Sequence, residues 1–149
     1  MHHLQLKTKP SEYIEKHHFA EKVKVLVADE NNTAQLTTLK TLISSNNYDT
    51  TIYNDPRELL EAVEKHEYDL ILMSSSISQV DSIELIGMIK QFANTNNKNI
   101  PIIALTVHTR KEDLATYRRA GFKDIIKKPY TDDELLNSVY KVLDLKKFL

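Results

Sequence analysis

Two adjacent carboxylates, Asp29 and Glu30, the hydroxyl of Ser74 in the run Ser74-Ser75-Ser76, the hydroxyl of Thr106 and the ammonium of Lys128 are the groups whose chemistry converges on one task. Neighbouring acids can hold a hard cation such as magnesium, while hydroxyl and ammonium donors stabilise the oxygens of a phosphoryl group. The same serines do not read as a hydrolase nucleophile, because no histidine and aspartate stand at a convincing spacing to activate one. His108 could titrate or bond to a nearby acid, although an exposed loop histidine is the simpler reading. These groups are far apart in sequence, so the fold has to collect them.

The elements that could do so alternate along the chain. Val23 to Ala28 is a short β-branched run, and further apolar runs follow at Thr50 to Tyr53, Asp69 to Met73, Ile100 to Thr106 and Asp124 to Lys127. Such runs suit strands of a parallel sheet buried on both faces. Between and after them, apolar residues recur three and four apart, as helices require: Leu36, Leu39 and Ile43; Leu59, Leu60 and Val63; Leu85, Ile86 and Ile89; Leu114 and Tyr117; Leu135, Leu136, Val139, Val142 and Leu143. Five helix starts carry capping pairs: Asn32 with Gln35, Asp55 with Glu58, Asp81 with Glu84, Thr109 with Glu112, and Thr131 with Glu134. In each pair the first side chain can accept from a free backbone N–H and the second can return the bond. Pro56 suits a first helical position and Gly121 a C-terminal stop.

Five strand-helix units with right-handed crossovers predict an α/β fold, a flavodoxin-like doubly wound (βα)5 with parallel sheet order 2-1-3-4-5. Active groups in such sheets gather beyond the carboxyl ends of the strands. That rule brings Asp29 and Glu30, Ser74, Thr106 to His108, and Lys127-Lys128-Pro129 to one rim.

The chain of 149 residues is long enough to bury roughly 70% of its unfolded surface without disulfide or metal. Twenty Lys and Arg nearly balance 21 Asp and Glu, which argues against nucleic acid or an anionic membrane as the main partner. The absence of cysteine removes disulfides, thiolate zinc sites and cysteine nucleophiles, and agrees with a cytoplasmic setting. No apolar run approaches the roughly 20 residues of a membrane helix. Residues 1–21 read as a linker or leader, including four histidines (His2, His3, His17, His18), and residues 22–149 as the folded domain.

The segments Val25-Leu26-Val27-Ala28-Asp29-Glu30-Asn31, Tyr68-Asp69-Leu70-Ile71-Leu72-Met73, Pro101-Ile102-Ile103-Ala104-Leu105-Thr106, Ala120-Gly121 and Lys128-Pro129 resemble the receiver (response-regulator) domain of bacterial two-component signalling. The resemblance covers about residues 22–145 and is greatest to receivers attached to hybrid sensor histidine kinases. It implies that Asp29 and Glu30 correspond to the magnesium-binding acids, Thr106 to the hydroxyl switch and Lys128 to the lysine that pairs with phosphoaspartate. It also implies that Ser74 stands where the phosphoacceptor aspartate belongs. Further departures accompany it: Ile125 at the aromatic switch position, Val107 in place of a small residue, and Ile77-Ser78 and Asp81-Ser82 where the following loop normally carries proline and glycine.

Asp69, roughly 13 Å from the far end of its strand, and Asp81, committed to a helix cap, are poor substitutes for the acceptor. Aspartate forms an acyl phosphate in balance with phosphohistidine, whereas a serine ester would be a thermodynamic sink. The loss of a charged ligand predicts magnesium binding at Asp29 and Glu30 that is weak or absent, and no other cofactor. The resulting expectation is a degenerate receiver (pseudo-receiver): not an enzyme, but a phosphorylation-independent interaction module. Its expected partner is a sensor histidine kinase or other signalling protein, met through a face containing Tyr117, Ile125 and Tyr130, with a homodimer as a further use of that face. No contact with nucleic acid or membrane is expected. The alternative is a phosphoryl-accepting receiver whose aspartate was replaced by Ser74 through engineering.

Overall fold

Strands rich in Val, Ile and Leu on both faces can be satisfied only between two helical layers, and the computed structural model has that arrangement. It describes residues 22–29, 39–40, 42 and 47–143. The elements are β1 (Val23–Ala28), β2 (Tyr48–Tyr53), α1 (Pro56–Lys65), β3 (Leu70–Ser74), β4 (Ser76–Ile77), β5 (Val80–Asp81) and α2 (Ser82–Phe92). A 3-10 turn (Thr95–Asn97), β6 (Ile102–Thr106), α3 (Lys111–Ala120), β7 (Asp124–Lys127) and α4 (Asp132–Val142) complete the order. Leu39 and Leu42 are also helical and buried. The remaining residues of that expected helix, its Asn32-Gln35 cap and the 1–21 leader lie outside the described residues.

The main sheet runs β2-β1-β3-β6-β7 with every pairing parallel. Counted over sheet strands alone this is the expected 2-1-3-4-5, the flavodoxin-like order. Alternate residues of each strand supply opposite cores, because side chains on a strand point to opposite faces. Leu26, Ile71, Met73 and Ala104 meet α1 and α2 through Leu59, Val63, Leu85 and Ile89. Val25, Val27, Leu72, Ile103 and Leu105 meet Leu39, Leu42 and the α4 residues Leu135 and Val139. Each fully buried aliphatic side chain contributes about 1.5–3 kcal/mol, so these two layers dominate the stability.

Boundaries differ from expectation where a side chain competes with the ladder. Asp69 precedes β3 because its carboxylate accepts from the Lys24 backbone N–H at 2.8 Å. β6 starts after Pro101, which has no N–H to donate. Thr131 and Glu134 form the expected reciprocal cap, each bond 3.1 Å. Asp55 and Asp81 accept from Arg57 and Ile83 respectively. The Thr109-Glu112 pair is a correction: α3 is capped at Arg110, whose backbone N–H donates to Asp113 at 3.0 Å. Gly121, at φ 113, ends this helix in the left-handed conformation, where a side chain would be strained.

The loop after β3 is itself a small antiparallel hairpin, β4-β5, turned by Ser78 and Gln79 at φ 48 and 68. Two successive positive φ values are those of a tight hairpin turn, here made without glycine. The Ser78 hydroxyl ties the turn to the Asn54 carbonyl at 2.8 Å.

Candidate functional site

Sheet register collects the rim. Ala28 pairs with Met73, Ser74 with Leu105, and Thr106 with Lys127, so Asp29, Ser74, Thr106 and Lys128 emerge at the same carboxyl edge. Backbone bonds continue the ladders just past the strands: Asp29 N–H to Tyr53 O, Ser75 N–H to Leu105 O, and Lys128 N–H to Thr106 O. Each side chain therefore leaves a fixed backbone, which is what allows residues distant in sequence to hold a common geometry.

Lys128 is the hub. Its Nζ donates to Ser74 Oγ at 2.8 Å and stands 3.8 Å from Asp29 Oδ1. The second distance is that of an ion pair rather than a short hydrogen bond. Asp29 is 1% exposed and Ser74 1% exposed. Asp29 is thus a buried carboxylate beside a mostly buried ammonium, an arrangement that burial of charge demands. Glu30 lies outside the described residues. Among the described residues Lys128 is the hydrogen-bond partner of Ser74 Oγ, and an ammonium that donates cannot take the hydroxyl proton. It draws electron density from the oxygen instead of activating it.

Thr106 is fully buried and its hydroxyl is engaged from two sides. It accepts from the His108 backbone N–H at 2.9 Å and shares a hydrogen bond with the Tyr117 hydroxyl at 3.2 Å. His108 and Val107 are exposed, Val107 to 59%. Ile125 is partly buried and packs against the cluster that contains Tyr117 and Phe122. Tyr117 and Tyr130, expected on an interaction face, are 7% and 6% exposed, so their rings belong to the interior. The correction has a cause in each case: Tyr117 reaches Thr106, and Tyr130 packs under the sheet with Val27 and Leu105. Burial, followed by the negative charge of Asp29, raises the pKa of the Tyr130 hydroxyl.

Asp69 and Asp81 are held elsewhere, at the amino edge of the sheet and at the start of α2. The chemistry available at the rim is thus that of a carboxylate neutralised by lysine, with two hydroxyls that are already partnered.

A family model described as response regulator receiver domain matches residues 25–140. The CAI-1 autoinducer sensor kinase/phosphatase CqsS of Vibrio cholerae is 33% identical over 116 residues, 78% of this chain and 17% of that protein. Hybrid signal transduction histidine kinase I of Dictyostelium discoideum is 32% identical over 111 residues, 71% of this chain and 6% of that protein. The chain therefore spans less than a fifth of either relative. Among solved structures, the receiver domain of sensor histidine kinase PA1611 from Pseudomonas aeruginosa, with magnesium coordinated in its active site cleft, is similar at a TM-score of 0.70 and 25% identity. That likeness covers 83% of this chain and 99% of the other.

Proposed function

Because the chain belongs to the response regulator receiver family of two-component signalling, we propose that it acts there as a degenerate receiver, signalling by contact rather than by accepting a phosphoryl group. The observation that carries this reading is the 2.8 Å bond from Lys128 Nζ to Ser74 Oγ. The lysine already donates to the residue that replaces the acceptor. Ile125, Val107 and the rebuilt hairpin after β3 depart from the family pattern in the same functional system, which supports loss of the reaction as a whole.

The donor set does not fit magnesium well. A hard divalent cation favours several carboxylate oxygens, whereas Ser74 offers a neutral hydroxyl and the ammonium of Lys128 already lies beside Asp29. On this reading the lysine performs the charge neutralisation that a metal would otherwise supply, and the protein has no enzymatic role. The kinase relatives favour a sensor histidine kinase or another signalling protein as partner, in the cytoplasm.

Incubation with a small phosphodonor and magnesium, followed by intact mass measurement, tests the proposal. The expected result is an unchanged mass; stoichiometric addition of one phosphate would overturn it. A second reading, in which an acceptor aspartate was exchanged for Ser74, is favoured by the continued gathering of Asp29, Thr106 and Lys128. Ser74→Asp distinguishes the two: robust magnesium-dependent labelling supports the exchange, and absence of labelling supports long-standing degeneration.

A further inference from the structure

α1, α2 and α3 lie side by side in one layer over the sheet, and charge runs across that layer from one flank to the other. On the α1 flank, residues 55–69 carry six acids against two Lys or Arg. Both bases are occupied within the flank: Arg57 lies 3.5 Å from Asp55, and Lys65 lies 3.4 Å from Glu61. Asp69 is engaged by the Lys24 backbone N–H. That leaves Glu58, Glu64 and Glu67, all exposed and without an ion pair among the described residues. Glu58, Glu61 and Glu64 recur three apart and so share one face of the helix.

The α3 flank is the reverse. Residues 85–111 and 114–123 contain no acid, and the two acids between them, Glu112 and Asp113, lie 3.7 and 3.6 Å from Arg110. Asp124 turns to Ser138 and Lys141 of α4. Arg118, Arg119 and Lys123 are exposed and make no ion pair among the described residues. Lys90 of α2 adds a further cation here, because its Nζ donates to the Ala120 carbonyl at 3.2 Å. α1 follows β2 at one margin of the sheet and α3 precedes β7 at the other, with α2 between them. One copy therefore cannot neutralise its own flanks, whereas a second copy can.

We propose that the chain associates with a second copy head to tail, the α1 flank of one (Glu58, Glu61, Glu64) docking against the α3 flank of the next (Arg118, Arg119, Lys123). The contact is heterologous, so each copy in a pair keeps one flank open and the association extends to further copies. Exposed ion pairs each contribute little and are screened by salt. The association is therefore weak, belongs to high protein concentration and fades as ionic strength rises. It uses neither Ser74 nor the rim, and it stands whether or not the chain takes a phosphoryl group.

Sedimentation velocity of the full chain in low salt, over a concentration series, tests this. The weight-average mass is expected to climb with concentration past that of a dimer. Raising NaCl to about 0.5 M, where the Debye length is roughly 4 Å, is expected to weaken the association about tenfold or more. Glu58→Lys with Glu64→Lys reverses the acidic flank, and Arg118→Glu with Lys123→Glu reverses the basic one. Each double variant alone is expected to sediment as a monomer. An equimolar mixture of the two is expected to associate as the wild type does, because each then presents the charge the other lacks. A wild type that stays monomeric at millimolar concentration overturns the proposal, as does association indifferent to salt or a mixture that stays monomeric. Association kept by the acidic reversal and lost by the basic one means that a surface other than α1 meets the basic flank, and overturns it too. Should a reversal variant fail to fold, Glu64→Gln and Arg118→Gln decide: weakened association in each supports the proposal, and wild-type association in both overturns it.

Discussion

The two edges of the sheet engage polar side chains in different ways. At the amino edge around β1, β3 and the end of α1 those side chains serve the backbone. Asp69 accepts from Lys24 N–H, and Asn97 accepts from Tyr68 N–H while donating to the carbonyls of Val63 and His66 at the end of α1. Asn94 adds bonds to Glu64 and His66 carbonyls. At the carboxyl edge side chains meet side chains: Lys128 with Ser74 and Asp29, Thr106 with Tyr117. The first pattern fixes chain segments and has little left to offer a ligand. The second consists of groups whose partners can change without unfolding the backbone, which is the property a signalling site needs.

The largest effect is expected from breaking the carboxyl-edge charge balance. Lys128→Met leaves Asp29 buried without its ammonium and should cost about 3 kcal/mol in urea unfolding. Adding Asp29→Asn to that variant should recover most of the loss, because the lost charge pairing, not a missing volume, is responsible. Failure of the second change to recover stability would mean that Lys128 supports the fold by packing. At the amino edge, Asn97→Ala removes a fully buried amide that accepts from the Tyr68 N–H and shares the Val63 and His66 carbonyls with Asn94. The expected loss is about 2 kcal/mol. No second substitution should rescue it as simply, since the partners are backbone. If a neutral change nearby restored Asn97→Ala, the contrast between the edges would be weaker than drawn.

The strands were legible because burial on both faces forces near-continuous apolar runs, and the strand order followed from chain alternation and crossover handedness. The rim was legible for the same reason, since Asp29, Ser74, Thr106 and Lys128 all stand just beyond apolar runs. The bond from Lys128 to Ser74 was not, because a lysine near an acid and a serine can choose either, and only side-chain geometry decides. The hairpin was hidden by Ser78 and Gln79, which adopt positive φ without the glycine that usually announces it. Tyr117 and Tyr130 were misplaced on the surface because tyrosine suits an interface and a core equally. What drew these two inward, the Thr106 hydroxyl and the packing beneath Val27 and Leu105, comes from other strands. The start of α3 slipped by one residue because Asp113, not Glu112, lies within reach of the capping backbone N–H.

The smallest expected effect sharpens the comparison through pH. Asp124 opens β7 at the amino edge, and its pKa is lowered from the ordinary value. Burial pushes it upward, but the Ser138 hydroxyl at 2.5 Å, the Lys141 ammonium at 3.1 Å and the Ile125 amide together outweigh burial. A carboxyl whose folded value lies below its unfolded value adds stability above the unfolded value, and that addition disappears as pH falls through the folded one. The unfolded reference for aspartate is about 3.9, so the loss belongs to the acid side of about pH 4. Urea midpoints measured from neutral pH downward should therefore fall less steeply for Asp124→Asn than for the wild type, with Ser138→Ala between them. Parallel curves would show that the Ser138 and Lys141 contacts do not favour the charged carboxylate. Curves that diverge place Asp124 with the amino-edge staples, an acid whose charge serves the fold and leaves signalling to the opposite rim.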